Sequence, residues 1–172
     1  MRNTKVLFIT QAAAIAALYV VLTLLANAFG LANYAIQVRF SEALTILPYF
    51  TPAAIPGLFI GCILSNTLTG CMLLDTVFGS LATLIGAVCT YFIGRKVNNQ
   101  TLAKWLSPVP PIVANMIVVP QVLSKVYQIP GSILYFTLTV GAGEIISCGI
   151  LGMILLFALN PRREVIFKNQ TV

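Results

Sequence analysis

The chain has 172 residues, 59% of them hydrophobic and only 8% charged, with a mean hydropathy of +0.96. A soluble domain of this size needs far more charge to cover its surface, so a water-soluble globular protein is excluded. The net charge is +6, but the basic residues sit at the ends of apolar runs, a pattern of membrane orientation rather than of nucleic-acid binding.

Apolar length and chain breakers predict an all-α integral membrane protein of about six segments, a single transmembrane domain over residues 1–172. The first runs from Val6 to Gly30. Its lead-in, MRNTK, is like the basic region of a signal peptide, but the run is nearer the ~20 residues that span a bilayer, so a retained helix is expected. Within QAAAIAALYV, Ala12 and Ala16, and likewise Ala13 and Ala17, recur at i,i+4. Small residues at that spacing let a partner helix approach closely.

The second segment starts near Val38 and ends among Pro48, Pro52 and Pro56. Proline removes a backbone donor and disrupts the preceding turn, so this helix is short. About 12 residues rise only ~18 Å, less than a ~30 Å hydrocarbon core, and a water-lined cavity is a permitted filling of the remaining depth. Four further segments follow: Ala53–Thr69, Asp75–Gly94, Trp105–Val126 and Ser132–Leu159.

Six spans bring Arg2, Lys5, Arg95, Lys96, Lys104, Arg162, Arg163 and Lys168 to one side. The positive-inside rule makes that side cytoplasmic, with both termini. The other charges do not follow this grouping. Arg39 and Glu42 open the second segment at the outer face, Asp75 opens the fourth, Lys125 closes the fifth, and Glu144 lies inside the sixth. A charge at a helix centre costs about 2.5–3.5 kcal/mol on insertion scales, so these groups are expected to converge on a cavity open to the outside.

Plainer roles exist for some of them. Arg39 and Glu42 can pair at i,i+3, Asp75 can cap its helix, and Lys125 can snorkel. Glu144 has no basic residue within a turn and sits in GAGE, where Gly141 and Gly143 leave room beside it, so it reads as a ligand contact. Asn33, Asn66 and Asn115 add polar groups to the cavity or bind helices together. Tyr127 can stack on a planar ring or belong to an interfacial aromatic belt. The four cysteines form no CxxC pair and histidine is absent, so neither a metal site nor a cofactor is expected.

VRFSEALTILPYFTPAAIPGLFIGCILSN, followed by DTVFGSLATLIGA, resembles the queuosine-precursor transporter (QueT) family, substrate-binding S components of energy-coupling-factor (ECF) transporters. The resemblance implies the S-component fold in a prokaryotic cell membrane and a pocket for a 7-deazaguanine precursor. It also implies a transmembrane coupling (T) subunit and two cytosolic ATPases as partners, docked on the small face of helix one. The chain itself would not be an enzyme, and no GxxxxGK[ST] loop occurs in it. A deazaguanine presents adjacent N–H donors that a carboxylate accepts in bidentate fashion, with Glu144 the candidate. Asp75 or Glu42 would offset an ammonium group on the cargo. Two alternatives stay open: an S component for another vitamin or cofactor precursor, and a secondary transporter with Glu144 as proton carrier. A membrane enzyme lacks any acid cluster or metal-ligand spacing to support it.

Overall fold

A computed structural model describes residues 4–31 and 37–167, which are helical throughout with no strand among them. Helix α1 spans Thr4–Ala28, α2 Ala54–Leu68, α3 Leu73–Lys96, α4 Gln100–Leu106 and α5 Val109–Lys125. The last long element is composite: α6 (Ile133–Glu144), a π-helical stretch (Ile145–Leu151) and α7 (Gly152–Leu159), with one turn of 3-10 helix before a short α8 (Arg163–Ile166). Four stretches are long and apolar enough to cross a bilayer: Thr4–Ala28, Leu73–Lys96, Gln100–Lys125 and Ile133–Ile166. Helix α2, with 15 residues, is shorter.

The expected short second helix is present, but it is a 3-10 helix over Phe40–Tyr49. Ten residues at ~2.0 Å each still rise only ~20 Å. Ser41 to Pro48 are all buried, because this slim element runs between α1, α3, α7 and the π-helical stretch. Its polar side chains are bound locally: Thr45 Oγ1 donates to the Glu42 carbonyl at 2.6 Å, and Ser41 pairs with Thr23 of α1 at 2.8 Å.

Helix α2 lies against α1 through two glycines. A Cβ on Gly57 would stand 2.7 Å from the Ala12 carbonyl oxygen, and one on Gly61 would stand 2.8 Å from Tyr19 Cβ and 3.1 Å from Ala16 Cα. Ala12 and Ala16 therefore line an internal helix crossing; Ala16 is buried and Ala12 half-buried. Ala13 and Ala17 remain exposed.

One end of the bundle is tied together by Gln11 Nε2 donating to the Ile166 carbonyl, Thr51 Oγ1 to Gln11 Oε1, and Tyr49 Oη to Gln100 Oε1. Lys5, Arg95, Lys96, Lys104, Arg162 and Arg163 belong to this end by their places on the elements. Arg2, Lys168 and Asn33 lie outside the described residues. Between this end and the middle of the bundle sits the apolar core, with Ile15, Leu44, Ile46, Leu58 and Leu156 buried together.

Candidate ligand-binding cavity

At the opposite end a cavity of about 360 Å³ opens among the tips of α1, α2, α3 and α5. Its wall includes Thr23, Asn27, Arg39, Asn66, Asp75 and Tyr127. Asp75 occupies the first turn of α3, but it does not cap the helix in the way expected: the N-cap position is Met72, with no side-chain cap bond. The Asp75 carboxylate instead accepts a hydrogen bond from Tyr127 Oη at 2.8 Å, and that phenolic oxygen accepts the Met72 N–H at 3.1 Å. Partial burial and the donated bond to Asp75 keep this phenol protonated, its pKa pushed up to about 12. Asn66, in that wall, is buried, with its amide nitrogen 3.7 Å from Cys62 Sγ. Lys125 is exposed and absent from the cavity wall.

Beneath the outer cavity lies a much smaller chamber of about 10 Å³, bounded by Arg39, Glu42, Asp75, Asn115 and Glu144 among others. That is room for about one water-sized group. Arg39 and Asp75 line both spaces, so they form the neck between them. Glu144 is 7% exposed. Its Oε1 accepts from Asn115 Nδ2 at 2.9 Å and its Oε2 from Cys148 Sγ at 3.1 Å. The glycines of GAGE do not leave empty space: Gly141 receives Met116, and a Cβ on Gly143 would collide with the carbonyl oxygen of Gln37. Gly143 lets the Gln37 backbone lie against α6, and in the π-helical stretch that follows Ser147 Oγ accepts the Arg39 N–H at 3.1 Å.

The expected Arg39–Glu42 pair does not form. Glu42, 1% exposed, accepts a very short hydrogen bond on Oε1 from Tyr19 Oη of α1, while its Oε2 has no hydrogen-bond partner. Arg39 is the extended N-cap residue ahead of the 3-10 helix (φ −110°, ψ 109°), so the i,i+3 stacking of a helical turn does not bring it over Glu42. Here Glu42 is turned inward to α1, and Arg39 lies at the neck. Tyr19, Ser147 and Cys148 complete this inner region and were not read from the sequence as site residues. Tyr19 carried one usable signal, a phenol inside an apolar run, which needs a partner when buried. The polar chain ends at Tyr19, and the apolar core closes the bundle below it.

A cavity with acids, amides and one arginine at one end of a membrane bundle is a place to hold a small polar molecule. No solved structure matches the chain. The protein described as "Queuosine precursor transporter QueT" from Lactococcus lactis subsp. cremoris is 35% identical over 85 residues, 49% of this chain and 50% of that relative. The chain thus spans about half the length of the curated relative it matches. The family model described as "QueT transporter" matches residues 9–161, nearly the whole bundle and every wall of the cavity, and the chain therefore belongs to the QueT transporter family.

Proposed function

We propose that the chain is the substrate-binding S component of an ECF-type importer in a prokaryotic cell membrane, taking up a queuosine precursor of the 7-deazaguanine type. The observation that carries this reading is the single-ended cavity, open at one end and closed beneath Tyr19 by buried Ile15, Ile46 and Leu58. A volume of about 360 Å³ suits a small molecule.

In this reading the base lies in the outer cavity. The inner chamber is too small for a ring, so Asp75 at the neck takes the paired N–H donors of the base, and Glu144 accepts one exocyclic donor. This moves the bidentate contact from Glu144, its first candidate, to Asp75. Arg39 donates to the base carbonyl, Tyr127 offers a stacking face, and Asn66 and Asn115 support the walls.

The positive-inside rule places the basic end in the cytoplasm and the cavity mouth outside. Energy then has to come from other chains, a coupling T subunit with two cytosolic ATPases. The exposed small residues Ala13 and Ala17 give the coupling subunit a face for close approach. The test is uptake of labelled precursor by cells expressing the chain with and without the coupling and ATPase subunits. Uptake should require those subunits and survive an uncoupler. Uptake that an uncoupler abolishes, and that loss of the ATPases leaves unchanged, supports the proton-coupled reading instead.

A further inference from the structure

Glu42, Glu144 and Cys148 come from three different elements, yet one carboxylate oxygen of each acid and the Cys148 sulfur all lie within 4.8 Å of one another. All three residues are buried. We propose that this cluster binds one thiophilic divalent cation of the zinc class, with its open coordination position facing the inner chamber.

Four observations carry the proposal. First, Glu42 Oε2 is a buried carboxylate oxygen with no hydrogen-bond partner, in a residue only 1% exposed. An acceptor of that kind is costly unless something positive meets it. Second, Cys148 Sγ and Glu144 Oε2 stand 3.1 Å apart. Sulfur at about 2.3 Å and oxygen at about 2.0–2.2 Å from a tetrahedral ion are separated by roughly 3.5 Å, so a small opening admits the metal where the thiol proton now lies.

Third, the acids outnumber the bases. Two carboxylates and a thiolate carry three negative charges, and Asp75 on the same chamber wall adds a fourth, against the single positive charge of Arg39. A divalent cation offsets two of the three left unopposed, which matters most in a site removed from water. Fourth, the thiolate selects zinc-like ions over magnesium and calcium, which prefer oxygen alone. The inner chamber has room for about one further donor atom, as an open zinc site requires. Binding exchanges the Cys148 thiol proton, which leaves through the outer cavity, for the metal; no electron is transferred. Sequence spacing could not show this site, because its ligands are two residues four apart and a third about a hundred positions away.

The experiment is a titration of cobalt(II) alone, with no organic ligand, into the purified full chain in detergent. Cys71→Ser and Cys89→Ser are introduced first, because these thiols are partly or fully exposed. The expected result is saturation at one equivalent, with thiolate-to-cobalt charge-transfer absorption in the near ultraviolet that zinc abolishes. Cys148→Ser should remove that band, and Glu42→Gln should weaken cobalt binding by about tenfold or more. Melting curves establish that the variants fold, and Cys148→Ala replaces the serine variant if that one does not. Absence of a saturable band in the parent overturns the proposal without any variant. So does a band that persists without Cys148, or cobalt affinity in Glu42→Gln within twofold of the parent. Precursor binding is not part of this readout, so its failure leaves the transport reading standing.

Discussion

Tyr127, beyond the end of α5, donates its hydroxyl to the Asp75 carboxylate at 2.8 Å, joining two elements 52 residues apart at the cavity mouth. The contact fixes the carboxylate that faces the proposed ligand. Tyr127→Phe should therefore lower precursor affinity about three- to tenfold while costing roughly 1 kcal/mol of stability, the usual worth of one hydrogen bond. Calorimetry and thermal melts on the same preparation separate the two effects.

The same phenol sets an alkaline limit. Its folded pKa is raised to about 12, above the ~10 of an unfolded tyrosine. Its stabilising contribution is thus fully present below about pH 10 and is lost as pH rises towards 12. The parent should lose melting temperature across that interval faster than Tyr127→Phe does. Parallel curves for the two proteins would remove Tyr127 from the account.

Adjacent alanines of α1 should behave oppositely. Ala16 is buried against Gly61, so Ala16→Leu overpacks the α1–α2 crossing and should destabilise the protein by about 1–3 kcal/mol. Ala17 is exposed. Ala17→Leu should leave the melt within about 0.5 kcal/mol, as surface changes do, while reducing co-purification with the coupling subunit. Unchanged co-purification would mean that this face is not the docking surface.

Tyr19 and Glu42 should be energetically coupled. Removing the phenol leaves a buried carboxylate short of its one hydrogen bond, so Tyr19→Phe should cost about 1.5–3 kcal/mol. Adding Glu42→Gln should recover part of that cost, because the amide carries no charge to satisfy. A double-mutant cycle by denaturant or thermal unfolding reads the coupling, expected at about 0.5–3 kcal/mol. Simple additivity would contradict the pairing.

Much of this arrangement was legible in the sequence, and the reasons are local. Prolines 48, 52 and 56 mark the end of the short second element, and apolar length places α1, α3 and α5. Asp75, Asn115 and Glu144 stand out because charge and amide groups are rare in such a chain. Partner choice was not legible. Glu42 meets Tyr19 because Arg39 stays extended ahead of the 3-10 helix, whereas spacing alone counts Arg39 and Glu42 as one helical turn. The two alanine faces of α1 are equivalent in spacing, and only the position of Gly57 and Gly61 on α2 decides which is internal. Cys148 looked like ordinary packing until the π-helical stretch set it between Glu42 and Glu144.

On the proposed reading, this chain by itself binds a deazaguanine through the carboxylates at the neck and floor of its cavity. Titration calorimetry of aminomethyl-deazaguanine and of queuine into the purified protein, beside Asp75→Asn and Glu144→Gln, tests it most directly. Saturable one-to-one binding is expected in the parent, and each variant should lose about 2–4 kcal/mol, roughly 30- to 1,000-fold, with little change in folding. No binding of either compound by the well-folded parent, or affinities in both variants within threefold of it, would contradict the account.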